Sequence, residues 1–271
     1  MGWRDRWRQV AGAVRWDGRS GPPRSSNGAS SLHLRWVPDA DGWEHDGGGI
    51  VEVAATLEVT EPPVVPALHF WALQASFADA GGRVHGGAHL GLQWYPAHPG
   101  STAVNWGGYR DGGGELDGSR SALPSATGNG NTRDFAWRPR TPYRLTIRRV
   151  GSGGIWSGRV TDVAAGTETE VRTLSCPGDR LVVPMVWSEV FADCDAPSSA
   201  VRWRDLRVTH ADGAVRRVHR VRTSYQAIAD GGCADTDASS PADGGFVQRT
   251  STPRRTAAGA VLVDQSQSSR S

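Results

Sequence analysis

No stretch of this chain is both long and apolar enough to span a bilayer, and its opening residues, MGWRDRWRQVAGAVRWDG, lack the apolar core and small-residue cleavage site of a secretory leader. The expected address is therefore cytoplasmic. Cysteine is scarce: Cys176, Cys194 and Cys233 are an odd number at irregular spacing, which is not a disulfide framework. Free thiols suit the cytoplasm. If one bridge forms, Cys176 with Cys194 is the expected pair, because both flank the same predicted strand. No Walker loop or dinucleotide fingerprint occurs, and Ser188 lacks the Gly-x-Ser-x-Gly context of a nucleophile elbow. His69, His85, His89 and His98 are close in sequence, but His85 and His89 straddle a glycine-rich turn instead of sharing one firm element. Neither a metal nor a cofactor is expected. Charge of one sign is also missing: Lys+Arg 30 against Asp+Glu 28 leaves +2, too little for the concentrated positive field that nucleic acid requires.

Glycine, proline and tryptophan are what the chain has in quantity, at 35, 16 and 12 residues, while long helical periodicity is absent. Short alternating segments with Gly/Pro-rich turns predict an all-β chain, an antiparallel β-sandwich of jelly-roll type. Residues 1–30 read as an extension and linker, with Trp3 and Trp7 spaced to share one face of a short helix. Residues 31–220 read as the sandwich. Residues 221–271 are poor in large apolar groups and read as an irregular extension, disordered in part or loosely docked. Within the sandwich, the run from Arg110 to Arg133 is long and glycine-rich, a binding loop, a lid or a floppy insertion. FAWRPRTPYRLTIRRV (135–150), with Tyr143, Leu145 and Ile147 on one face, and IWSGRVTDV (155–163) predict a hairpin across a glycine turn, and Pro184 predicts an edge or a bulge in its strand.

The stretch from Leu68 to Tyr109 organises the rest. Leu90, Leu92 and Trp94 alternate with His89, Gly91 and Gln93, so one face is apolar and the other offers an imidazole, a carboxamide and a bare backbone. Asn105, Trp106, Tyr109 and Arg110 extend that polar and aromatic set, and Gly107 and Gly108 permit close approach by a strand or a ligand. Trp187 and Glu189 share a strand face, placing a carboxylate beside an indole. An indole that stacks on a ring and carboxamides that select hydroxyls suit a saccharide or another polyhydroxylated ligand. Alternation separates Gln93 from Trp94, so Gln93 is paired with Trp106 and Trp94 is left in the core. A packed Trp- and Gly-rich sheet with no ligand produces the same pattern. Hydrolysis of a glycan would need a second carboxylate opposite Glu189, with Glu52, Glu58 and Asp205 as the candidates. A lyase would instead use Tyr109 or His89 beside Arg110.

The order HFWALQASF, GGAHLGLQWYP, NWGGY, WRPRTPYRLTIRRV, GIWSGRVTDV and VVPMVWSEVF resembles that of bacterial proteins with a concanavalin-like or laminin-G-like β-sandwich, over about Ser31 to Val218. That resemblance implies carbohydrate binding, since the wider fold includes lectins, carbohydrate-binding modules, glycoside hydrolases and polysaccharide lyases. The Glu-x-Asp-x-x-Glu run of one sandwich glucanase group is missing. The expectation is thus a soluble glycan-binding domain, with a glycoside hydrolase, a polysaccharide lyase and a non-catalytic structural or protein-interaction domain as alternatives.

Overall fold

The computed structural model describes residues 16–38, 42–43 and 48–267. The short helix expected around Trp3 and Trp7 lies outside them. The strands in chain order are β1 (Ser30–Trp36), β2 (Ile50–Glu61), β3 (His69–Ala78), β4 (Val84–Trp94) and β5 (Thr102–Arg110). The short β6 (Asp117–Gly118) and β7 (Thr132–Asp134) come next, then β8 (Pro142–Val150), β9 (Ile155–Asp162), β10 (Thr167–Ser175), β11 (Arg180–Val190) and β12 (Ala200–His210). The chain closes with β13 (Val215–Arg217), β14 (Arg220–Tyr225), β15 (Thr236–Ser239), β16 (Phe246–Thr250) and β17 (Val261–Val263). The described residues contain no α-helix, and every strand pairing is antiparallel.

Two layers form. The first runs β17–β14–β1–β11–β3–β4–β5–β7. The second runs β15–β16–β12–β2–β8–β9–β10–β6, with β13 beside β12. A single pair, Ile50 with Leu181, joins the layers directly. This is an all-β antiparallel sandwich.

Period-two alternation builds the core between the layers. In β2, Val53, Ala55, Leu57 and Val59 turn inward, and in β4 Leu90 and Leu92 do the same, all at most 1% exposed. Trp36, Trp71, Trp106, Trp137, Trp156 and Trp203 belong to this cluster, with Trp94 packed against it. Most of the tryptophan surplus is therefore core packing, where an indole contributes large apolar area. Gly158 lies under Trp106: a Cβ there would fall 2.6 Å from the indole.

Two bulges set the strand faces. Pro184 sits inside β11, a central strand paired on both sides, because the register skips from Val182 to Met185 and Val183 takes φ 51°. The bulge removes the proline from the ladder. In β12 the register breaks between Arg204 and Arg207, with Asp205 at φ 50°, as the spacing of Trp203 and Leu206 suggests.

Two expectations are corrected. Of residues 221–271, the described part, 221–267, is not loosely docked, since β14 to β17 extend both layers and Val221, Thr223, Phe246 and Gln248 are buried. The disulfide joins Cys194 to Cys233, with Cα atoms 5.4 Å apart, and Cys176 is free and buried. Residues flanking one extended strand sit at its opposite ends, and 11 residues of β11 span about 36 Å, far beyond the reach of a bridge. The run Arg110–Arg133 is folded against the sandwich: Leu116 is buried and Ser121 Oγ donates to Val171 O.

Candidate functional site

The outward face of the first layer gathers the polar side chains that alternation excludes from the core. Three rows cross it. Ala103, Gln93, Phe70, Glu189 and Ser31 are successive partners on β5, β4, β3, β11 and β1. Asn105, Gly91, Ala72, Trp187 and His33 form the next row, and Gly107, His89, Gln74, Met185 and Arg35 the third. Directly opposed residues share a face, so these side chains project together. Gly91 and Ala72 keep the centre low. A Cβ at Gly91 would fall 2.1 Å from Trp71 O, so the close approach of β3 itself requires glycine there.

Phe70, Ala72, Met185 and Trp187 make a small apolar cluster separate from the main core. The rings meet edge to face: Phe70 and Trp187 at 4.8 Å between centroids, Phe70 and His89 at 5.5 Å, His89 and Trp187 at 5.6 Å. Trp187 Nε1 donates to Gln74 Oε1 at 2.9 Å, fixing that carboxamide. Asn105 Nδ2 donates to Thr132 Oγ1 at 2.8 Å. Gln93 Oε1 and Asn105 Oδ1 are buried acceptors without a well-formed hydrogen bond among the described residues, although the His89 ring stands beside Asn105. Such groups are costly unless something supplies a donor.

Electrostatically the face favours neutral forms. Burial pushes the Glu189 carboxyl up, against a smaller opposing effect from Ser31 Oγ, which donates to Glu189 Oε1 at 3.3 Å. Burial lowers His89 to about 4, only partly offset by the Asn105 carboxamide beside it. His33 falls to about 4 through burial and the Arg35 charge. At the edge of the first row, Asp134 lies opposite Ala103 and accepts from His98 Nδ1 at 2.5 Å, and this bond holds the Asp134 carboxyl down.

Of the sequence candidates, Gln93, Asn105, Trp187 and Glu189 converge on this face. Tyr109 is on the same face but towards its end, opposite Gly87 and 58% exposed. Arg110 points elsewhere, donating to Glu115 O and pairing with Asp117 at 2.5 Å. Trp106 is corrected outright: it alternates with Asn105 and is fully buried in the core, so it cannot partner Gln93. Glu52 is corrected too, since it lies on the outer side of the second layer, where Thr209 Oγ1 donates to it at 3.4 Å. Glu58, beside Arg204, is on that same outer side, so neither glutamate opposes Glu189 across a cleft. Gly107 and Gly108 admit protein: Asn131 packs against the first and the β4 backbone against the second. Sequence reasoning misses Gln74, Phe70, Ser31 and His33. Gln74 is readable, since it alternates with the apolar Leu73 and Ala75, whereas Ser31 and His33 require knowing that β1 pairs with β11. Among the described residues, no group of three or more His, Cys, Asp or Glu is placed to hold a metal.

Neither a protein-family model nor a curated protein matches the chain. Solved structures do. Scytalido-glutamic peptidase with a peptide-based transition state analog matches at 10% identity and TM-score 0.44, over 83% of this chain and 98% of that one. SCP-B, an eqolisin-family peptidase with the tripeptide Ala-Ile-His, matches at 12% identity and TM-score 0.43, over 82% and 98%. Peanut lectin matches at 11% identity and TM-score 0.27, over 87% and 93%. The concanavalin-like or laminin-G-like resemblance is corrected on this finding, because glutamic peptidases match at higher TM-score than the lectin does. The glycan-binding expectation, with its carbohydrate partner, is corrected with it. Geometry agrees: stacking a sugar needs a bared indole face, and Trp187 is 3% exposed and Trp106 fully buried. At these identities no residue role is carried over from any of these proteins.

Proposed function

We propose that the outward face of the first layer binds a peptide in extended form, with Glu189 as its acid group. One observation carries the reading: three carboxamides, Gln74, Gln93 and Asn105, stand on one sheet face with Glu189 around the low centre at Gly91 and Ala72. A carboxamide is the functional group of the peptide bond, one donor pair and one acceptor, so it can pair reciprocally with backbone amides. Strand residues repeat at about 3.3 Å, the repeat of an extended ligand laid beside them. The buried cluster of Phe70, Ala72, Met185 and Trp187 packs among these groups and holds them in place.

Glu189 gives the site a chemical handle. A carboxyl raised by burial donates a hydrogen bond to a carbonyl when neutral, and a general acid has the same requirement. The peptide-analogue and tripeptide complexes of the glutamic peptidases agree with this reading without carrying it. For location, the Cys194–Cys233 bridge argues for an oxidising compartment and against the cytoplasm expected from the sequence.

The test is a library of blocked hexapeptides titrated into the protein with tryptophan fluorescence as readout, run alongside internally quenched peptides for cleavage between pH 4 and 7. Saturable binding that Gln93→Ala and Asn105→Ala weaken supports the reading. Cleavage lost in Glu189→Gln with binding retained would add catalysis. No binding by any peptide overturns it.

A further inference from the structure

The face is charged differently at its two ends. Along β11, Met185, Trp187 and Glu189 project outward, and pairing continues one residue further, with Phe191 N donating to Leu68 O. At the Met185 end, Arg35 lies opposite Met185 and Arg222 opposite Arg35, so two exposed guanidinium groups close the third row. Among the described residues neither has a carboxylate within ion-pair distance, although Arg222 Nη1 donates to Gly259 O at 3.0 Å. At the opposite end stands Glu189, and just past the strand a cavity of about 430 Å³ opens, walled by Val65, Pro66 and Phe191 and edged by the exposed Asp193 and Asp195. Asp195 Oδ1 accepts from Gly21 N at 3.0 Å, which leaves its other oxygen for a ligand. In the Glu189 row, Gln93 is 5% exposed and its Oε1 is buried without a hydrogen-bond partner among the described residues.

Resting on the peptide reading, we infer that this site selects by end charge: it takes a segment of about six residues laid along β11, cationic at the Glu189 and Asp193 end and anionic at the Arg35 and Arg222 end. The length follows from geometry, since Met185 to Phe191 is about 20 Å of strand and an extended ligand rises equally fast. A lysine or arginine fits the cavity because its aliphatic stem lies along Phe191 and Pro66 while its head meets the aspartates. Glu189 borders this end, and the carbonyl oxygen of its carboxyl group can accept an N–H of the ligand while the carboxyl stays neutral. A carboxylate at the other end finds two guanidinium groups with no carboxylate partner among the described residues.

Four blocked hexapeptides with one apolar centre and different end pairs test this: Lys with Glu, Lys with Lys, Glu with Glu, and Gln with Gln. Because a peptide can lie in either direction, end composition and not sequence order is the variable. The Lys-with-Glu peptide is expected to bind about tenfold tighter than the Gln-with-Gln peptide, with the difference shrinking in high salt. The double variant Arg35→Glu/Arg222→Glu, two exposed positions, should shift preference to the Lys-with-Lys peptide. Equal affinity for all four peptides overturns the charge inference and leaves the peptide site standing. No binding by any of them removes the site itself. A concentration-dependent dimer that peptide fails to dissociate assigns the face to a second copy of the chain, and also overturns the proposal.

Discussion

The two outward faces of the sandwich are built by the same alternation and finished in opposite ways. On the second layer the outward side chains are mainly arginines and acids: Arg159 pairs with Glu168 and Glu170, Arg204 with Glu58, and Arg202 with Asp243. That surface is arginine-rich and partly ion-paired, although Thr56 Oγ1 and the Nε of Arg144, Arg202 and Arg204 are also buried without a hydrogen bond among the described residues. On the first layer the outward side chains are aromatic rings, carboxamides, neutral imidazoles and a glutamic acid raised by burial, and two of the carboxamide oxygens lack well-formed hydrogen bonds. What separates the faces is the kind of group, carboxamides, rings and a carboxyl raised by burial against arginines and acids, and that grouping locates the candidate site better than any single residue does.

Changes at the two faces should differ in size. Trp187→Ala removes a nearly buried indole that touches Phe70, His89 and Gln74, and should cost about 3 kcal/mol in denaturant unfolding as well as peptide binding. A loss like that of a surface substitution would show that the cluster is not packed as described. Acid should discriminate next. His33 and His89 are held at about 4, below the 6.5 of the unfolded chain, so the unfolded state binds more protons between these values. Their contribution is present above pH 6.5 and is lost as pH falls towards 4, up to about 3 kcal/mol for each. Melting curves of His33→Gln/His89→Gln should be flatter across that window than those of the parent, and parallel curves would contradict the assignment.

Glu189→Gln reports with the opposite sign. A carboxyl raised by burial contributes stability while neutral and loses it as pH rises through its folded value, so the variant should melt higher than the parent at pH 7 and alike in acid. The smallest effect belongs to the second face. Arg159→Ala should cost under about 1 kcal/mol despite its two carboxylate partners, and should leave peptide binding unchanged. A larger loss would mean that this network stabilises more than a solvated surface normally does.

Much of this contrast is legible in the order of residues alone. The alternation of Leu90 and Leu92 with His89, Gly91 and Gln93 sets which side of β4 faces out, and the same rule joins Trp187 to Glu189 and puts residues 142–162 in a hairpin. Pairing partners are not legible, because period two says which face a residue joins but not which strand lies beside it. Hence Ser31 and His33 escape recognition and Glu52 is misplaced. Trp106 fails for a different reason: its neighbour Asn105 suggests one shared polar set, although adjacent strand residues point to opposite faces. The C-terminal strands are hidden by composition, since β14 to β17 bury few but well-placed groups such as Val221 and Phe246.

The central claim is tested most directly by the side-chain amide signals of a ¹⁵N-labelled protein on addition of a binding hexapeptide. The account predicts that the signals of Gln74, Gln93 and Asn105 move together and saturably while the core indole signals of Trp156 and Trp203 stay in place. Shifts confined to the second layer, or amide signals that do not respond to a peptide shown to bind, would contradict it.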